Sequence, residues 1–364
     1  MLKNLFKDYI NSVRPYQPGK PIRELEQEMG LRHIIKLASN ENALGPSGRA
    51  MHAMRRAIRE VHLYPESGCP YLIERLSREL GVSADQLIVG NGSNEIIELL
   101  ARGFLSPGDE VLSSESTFLV YPILAQVCGA RYVSVPMKDS RYDLAAMADA
   151  VSEKTKVVFI ANPNNPTGTY VTESELEAFI AKVPKHVIIC IDEAYIDFVD
   201  SRDFPHVLAH VKTAKPNVLV MRTFSKAYGL AGLRVGYALG CKEIIQYLQK
   251  IKQPFNVNSI AQAAATAALD DRFFLWRTKY MVSSGRKYLY REFKRMGLEF
   301  LPSQANFVLV NVRKDGEEMF RALLKRGVIV RSMKAYGFDS WIRVTVGRRS
   351  HNAHFIRALR RELR

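Results

Sequence analysis

The chain has 364 residues, enough for about two domains with a large core, so a miniprotein held together by disulfides is excluded. Hydrophobic residues make up 47% and charged residues 24%, with 22 glycines and 16 prolines, which rules out a disordered or collagen-like chain. Lys and Arg outnumber Asp and Glu by 52 to 37, a formal net charge of +15 that favours anionic partners without saying which.

In chain order, an arm broken by Pro and Gly (Arg14 to Gly19) precedes alternating strand-like and helix-like segments. Short runs rich in Val and Ile at 87–90, 110–114, 131–135, 156–162, 187–192, 217–223 and 235–240 predict buried parallel strands. Between them Ser93 opens one helix, and Thr172 with Glu175 forms a capping box before another. This alternation predicts an α/β layer architecture with ligands at the carboxyl ends of the strands. From Ser259 to Met296 the pattern is nearly all helical, with a break around Asp270 and Asp271. A strand at 305–312, a helix at 316–327, strands within 328–333 and 341–347, and a closing helix follow. The tail reads as a smaller α+β domain that the N-terminal segment joins. The expected division is 1–55 (arm and part of the small domain), 56–264 (large domain) and 265–364 (small domain).

The basic residues are spread along the chain. The densest stretch, 348–364, carries Phe355, Ile356, Leu359 and Leu363 at helical spacing and reads as the solvated face of a terminal helix. With no aromatic residues interleaved among Lys and Arg and no zinc-finger spacing, neither a nucleic-acid partner nor a metal is expected. No apolar stretch approaches the ~20 residues needed to span a bilayer, so no membrane association is expected. Cys69, Cys128, Cys190 and Cys241 are far apart and read as reduced thiols. With no signal-peptide pattern at the N-terminus, a cytoplasmic location is expected.

Chemistry concentrates in TFSKAYGLAGLRVGY, residues 223–237. Lys226 sits in a glycine-rich loop between two buried strands, a poor place for a surface ion pair and a good one for a Schiff base. A loop lysine by itself is usually a solvated charge, so the reading depends on what converges with it. Arg234, in an otherwise apolar or glycine loop, needs an anion as partner. Asp192 ends the strand VIICID, with Tyr195 just beyond it, and Asn165 lies in the turn NPNNPTG after another strand. A carboxylate at the end of a central strand faces the crevice of a doubly wound sheet or caps a helix. In GNGSNE, Gly92, Ser93, Asn94 and Glu95 present N–H groups at a positive helix end, which is a phosphate seat. Neither GxGxxG nor GxxxxGK[ST] is present. A Schiff-base lysine, a strand-end aspartate, a nearby Asn and Tyr, and a phosphate seat with an arginine together match pyridoxal 5′-phosphate.

These residues resemble the fold-type I pyridoxal-phosphate aminotransferases and, among them, the histidinol-phosphate aminotransferase family. YQPGKP, IKLASNENALGPS, YPESG, VGNGSNEIIELL, ANPNNPTG, IDEAY, RTFSKAYGLAGLRVGY, PFNVNSIAQAAA and WIRVTVG occur in that family's order. The resemblance implies a large domain with a mostly parallel seven-stranded sheet sandwiched by helices, plus a smaller α+β domain. It implies that Lys226 holds the cofactor as an internal aldimine and then moves a proton between substrate Cα and cofactor C4′. Asp192 would pair with the pyridine nitrogen, Asn165 and Tyr195 would bond the ring oxygen, and Phe118 would stack on the ring. The phosphate would be held by Ser93, Asn94, Ser225 and Arg234, with Tyr64 reaching it from the partner of a homodimer, and Glu95 is counted with the cofactor-binding residues. Arg343 and Arg331 would take the substrate's anionic groups, and Tyr16 and Asn40 would complete that pocket. Ala43, Phe118 and Asn94 stand where family members often carry Pro, Tyr and Asp. The implied reaction is transamination of L-histidinol phosphate with 2-oxoglutarate. An aromatic or broad amino-acid aminotransferase and a threonine-phosphate decarboxylase remain open as relatives of similar sequence.

Overall fold

The computed structural model describes residues 5–13, 24, 30, 34–212 and 216–364. Tyr16 lies outside the described residues. In chain order the regular elements are β1 (Ile35–Lys36), α1 (Gly48–Ala57), α2 (Pro70–Leu80), β2 (Leu87–Gly90), α3 (Ser93–Phe104), β3 (Glu110–Ser114), α4 (Val120–Val127), β4 (Arg131–Val135), α5 (Leu144–Asp149), β5 (Thr155–Ala161), α6 (Glu173–Lys182), β6 (Ile188–Asp192), α7 (Leu208–Lys212), β7 (Val218–Thr223) and β8 (Gly236–Leu239). Then come α8 (Lys242–Ile251), α9 (Ser259–Leu269), α10 (Arg272–Arg295), β9 (Phe300–Leu301), β10 (Phe307–Asn311), α11 (Gly316–Lys325), β11 (Val328–Ile329), β12 (Arg331–Ser332), β13 (Trp341–Thr345) and α12 (Arg349–Leu363).

The larger sheet has seven strands in the order β2-β8-β7-β6-β5-β3-β4. Strands β5, β6 and β7, buried along nearly their whole length, sit at its centre, as continuous Val/Ile runs require when helices cover both faces. The expectation of parallel pairing fails at 235–240: β8 runs antiparallel to both β7 and β2. The reason is the connection. Residues 224–235 hold only a single 3₁₀ turn at Ala231–Leu233, and without a crossover helix the chain must reverse. The fold is thus α/β with a mostly parallel sheet, and the lysine loop is the hairpin-like link at its reversed strand.

One face of the sheet carries a core that includes Leu72, Leu76, Ile160, Phe179 and Val220, and the other carries Ile96, Leu100, Tyr121, Phe159 and Leu219. The smaller sheet, β12-β13-β10-β9, is antiparallel and packs with α10, α11 and α12 around Phe293, Phe307, Val344 and Phe355. Strand β1 pairs in parallel with β11, which ties the N-terminal segment to this smaller unit. The expected boundaries at 55/56 and 264/265 fall inside α1 and α9. These helices pack through Ala50, Ala261, Ala264, Ala265 and Ala268, small residues that let the two backbones approach on the larger core. The break after α9 is set by Asp271, whose side chain accepts from Phe274 N–H to start α10. Tyr195, just past β6, and Ala227, in the β7–β8 link, belong to the small-domain core, so the two units meet around the lysine loop. No described helix is long and apolar enough to cross a membrane.

Candidate active site

Strand alternation sorts the two acids at the end of β6. Glu193 is buried and paired with Arg222, Nε to Oε2 2.7 Å. Asp192 faces the other way: its Oδ1 accepts from Ala194 N–H (3.0 Å) and its Oδ2 from the Tyr121 hydroxyl (2.9 Å). Burial pushes the Asp192 carboxyl up to about 6, with the Tyr121 and Ala194 hydrogen bonds and Lys226 opposing. A carboxylate so desolvated is suited to a cationic partner.

Lys226 follows Ser225 at the start of the β7–β8 link. Its Nζ lies 3.4 Å from the Ser39 carbonyl and 5.6 Å from the Tyr195 ring centroid. Burial, reinforced by the Arg343 guanidinium, lowers its amine to about 8. A lysine at that value keeps a usable neutral fraction near pH 7, as a nucleophile or general base needs.

The start of α3, the end of the β7–β8 link and the first residue of β8 form a cradle. Arg234 has φ 57°, and its Nη1 donates to the Ala231 carbonyl (3.1 Å) and reaches Ser225 Oγ (3.5 Å). A Cβ on Gly92 would lie 2.5 Å from Arg234 Nη2, and one on Gly236 would lie 2.6 Å from Ser93 N and 3.0 Å from the Arg222 carbonyl. Only glycine lets these backbones and the guanidinium close on one point, where the first-turn N–H groups of α3 have no carbonyl within the helix to bond. Ser93, Asn94, Ser225 and Arg234 are brought together there. Glu95 is not. Its N–H donates to the Gly92 carbonyl, and its carboxylate accepts from Asn91 N–H and Asn256 Nδ2, so it fastens the loop instead of offering a donor.

The opposite wall joins the two domains. Arg343 on β13 is buried. It donates from Nη1 to Asn165 Oδ1 and from Nη2 to the Ala38 carbonyl (2.8 Å), and it stands over the Phe307 ring at 5.2 Å. Arg331 on β12 is its direct cross-strand partner, so both side chains leave the same face of the small sheet. Asn40, at φ 56°, donates from Nδ2 to the Tyr195 hydroxyl (3.0 Å) and accepts at Oδ1 from Thr345 Oγ (3.1 Å), while Asn306 Nδ2 bonds its carbonyl (3.0 Å). Asn164 braces the turn that carries Asn165, bonding Ser116 O, Thr117 Oγ1 and Thr167 Oγ1. Phe118 lies beside Tyr121, edge to face at 5.6 Å.

Tyr64 is 84% exposed and stacks on the also exposed Phe255 at 4.8 Å. Sequence reasoning missed Tyr121, Thr345 and Asn306. The first was signalled only by its place three residues after Phe118, and the others by nothing local. The assembled groups suit a ligand with a phosphate, a basic ring nitrogen, a ring oxygen and an aldehyde, with room for a second anion at the arginine pair.

Residues 32–359 match the model of the family aminotransferase class I and II. The chain is 48% identical over 354 residues to the histidinol-phosphate aminotransferase of Moorella thermoacetica, covering 97% of this chain and 92% of that protein. It is 49% identical over 362 residues to histidinol-phosphate aminotransferase 1 of Cupriavidus pinatubonensis, covering 98% and 96%. Among solved structures it resembles the histidinol-phosphate aminotransferase of Sinorhizobium meliloti in complex with pyridoxal-5′-phosphate, with a TM-score of 0.89, 30% identity, and coverage of 98% and 97%.

Proposed function

The chain belongs to the class I and II aminotransferases, and we propose that it transaminates L-histidinol phosphate with 2-oxoglutarate, giving imidazole-acetol phosphate and L-glutamate, in L-histidine biosynthesis. The observation that carries the substrate reading is the arginine pair. Arg343 reaches Asn165 and adds to the burial that lowers the Lys226 amine, and Arg331 stands directly across from it. Two guanidiniums on one face suit a substrate that is a phosphate in one half-reaction and a dicarboxylate in the other.

Pyridoxal phosphate, the cofactor, supplies when bound an aldehyde for Schiff-base chemistry and a ring that accepts the electron pair left when substrate Cα loses its proton. The glycine cradle supports the fit to its phosphate, and the desolvated Asp192 supports the fit to its ring nitrogen. The α3 N–H groups, Ser93, Asn94, Ser225 and Arg234 hold the phosphate. Asp192 keeps a proton on the ring nitrogen. Asn165 and Tyr195 bond the ring oxygen, and Phe118 covers the ring face. Lys226 Nζ would hold the aldehyde and, once free, would carry the proton from substrate Cα to cofactor C4′, and in the opposite sense in the second half-reaction. Arg343, Arg331 and Asn40 orient the substrate's anionic groups.

We further propose a homodimer. Ile58, Val61, Leu63, Tyr64 and Phe255 are exposed apolar side chains, which fits a second copy covering them and Tyr64 reaching the partner's phosphate. Four free cysteines fit a cytoplasmic protein. Single-turnover spectroscopy of the cofactor against a panel of amino donors tests the substrate. Histidinol phosphate is expected to give the highest specificity constant. A higher value for phenylalanine or tyrosine would replace this reading with an aromatic aminotransferase, and release of carbon dioxide from threonine phosphate without a keto product would replace it with a decarboxylase.

A further inference from the structure

Tyr121 is fully buried, yet its hydroxyl is not spent on the core. The ring is clamped by stacking on Phe159 (centroids 4.5 Å, interplanar angle 4°) and by the edge-to-face contact with Phe118, and this aims the hydroxyl at Asp192 Oδ2 (2.9 Å). Burial and the Asp192 charge raise its phenol well above the ordinary value of 10, so the hydroxyl keeps its proton across the working range and donates it to the ionised Asp192. Tyr142, buried in the core on the other face of the sheet, spends its hydroxyl elsewhere, on Thr117 Oγ1 and Ala161 N–H.

We propose that Tyr121 is a positioning residue for the cofactor's ring nitrogen, its hydroxyl holding Asp192 ionised and in one rotamer so that the carboxylate stands ready to pair with a pyridinium. A hydrogen bond to the charged form favours that form, and here it acts against a burial penalty that would otherwise protonate the acid. The titratable groups that act on Asp192 are Lys226 from the lysine loop, Cys190 from its own strand, Glu193 just beyond that strand, Tyr121 on α4, Tyr142 just before α5, and Tyr195. Of these, Tyr121 makes the side-chain hydrogen bond that lowers the acid. The inference rests on the reading that Asp192 pairs with the ring nitrogen.

The test uses the full-length, cofactor-free protein and 4′-deoxypyridoxine 5′-phosphate, which keeps the ring nitrogen and phosphate but has no aldehyde for Lys226. Affinity is measured by titration calorimetry from pH 5 to 8 for wild type, Tyr121→Phe, Tyr142→Phe and Asp192→Asn. The ligand's own titrations are common to all four and cancel in the ratios. Tyr121→Phe keeps the stacked ring. Its affinity is expected to trail wild type by less than about threefold at pH 8 and by about tenfold more at pH 5, as a one-unit rise in the Asp192 pKa requires. Tyr142→Phe is expected to show a flat ratio. A ratio for Tyr121→Phe that does not change with pH, or the same slope in Tyr142→Phe, overturns the proposal by reducing Tyr121 to packing. If Asp192→Asn binds like wild type at every pH, the pairing of Asp192 with the ring nitrogen fails as well. If Asp192→Asn weakens binding while the Tyr121→Phe ratio stays flat, only the role of Tyr121 falls.

Discussion

The two ends of the site are built differently. The phosphate cradle is made of backbone: adjacent strands β7, β8 and β2 bring the start of α3, the glycines and Arg234 together, and Gly236 is there because a Cβ would strike Ser93 N at 2.6 Å. The anion end is made of side chains from distant parts of the chain. Arg343 bonds Asn165 and Ala38, and Asn40 bonds Tyr195 and Thr345, all across the junction of the two domains. A seat fixed by backbone holds one ligand in one place. A wall of crossing side-chain bonds can exchange partners, which two substrates sharing one site require.

Lys226 lies between the two ends, and its loss has the largest effect. Lys226→Ala is expected to lower kcat by at least about 10⁴-fold with far-UV circular dichroism unchanged, since both the covalent anchor and the proton carrier disappear. Transaminase activity retained in that variant would overturn the mechanism. Gly236→Ala attacks the backbone seat itself. Its Cβ meets three backbone atoms that cannot swing away, so cofactor affinity is expected to drop about 100-fold and the melting temperature to fall with it. Affinity within a few-fold of wild type would show that the cradle is softer than its geometry implies.

At the other end, Arg343→Lys keeps the charge but loses the planar fork that spans Asn165 and Ala38. A fall of about 10- to 100-fold in kcat/KM for both half-reactions is expected, with cofactor affinity nearly unchanged. Equal losses in substrate and cofactor binding would show that the two ends are one unit. Asp192→Asn probes the acid between them through stability. In the cofactor-free protein the carboxyl is raised from 3.8 to about 6, so the native state binds the extra proton between these values and stability falls as pH rises through them. The amide lacks this penalty. Cofactor-free Asp192→Asn is therefore expected to match wild type near pH 4 and to exceed it by about 1–3 kcal/mol at pH 7, by urea unfolding. A difference independent of pH would mean that Asp192 is not the titrating group.

The same contrast decides what the sequence could reveal. The cradle, Lys226 and Asp192 are legible because each sits at the end of a strand whose apolar run is continuous, and strand ends fix where side chains and N–H groups point. The direction of β8 was not legible, because an apolar run carries no sign and only the missing crossover helix at 224–235 reverses it. Arg331 and Arg343 become neighbours only through the register of β12 on β13. Asn40 depends on Thr345 and Asn306, some 300 residues away, and no local pattern encodes such a contact. Glu95 shares a helix start with the phosphate donors, and that its carboxylate is engaged by Asn256 is likewise encoded by no local pattern.

Asn94 offers the gentlest probe of the contrast. It is exposed in the first turn of α3, where a carboxylate gains from the helix dipole and loses by standing near a bound phosphate. The two effects oppose each other, and solvent screens both. If the seat is set by backbone N–H groups and Arg234, Asn94→Asp should change cofactor affinity by less than about threefold, and the change should shrink as salt is raised from 0.05 to 0.5 M. A salt-independent loss of tenfold or more would mean that the Asn94 side chain itself binds the phosphate, and the cradle would then depend on side chains as the arginine wall does.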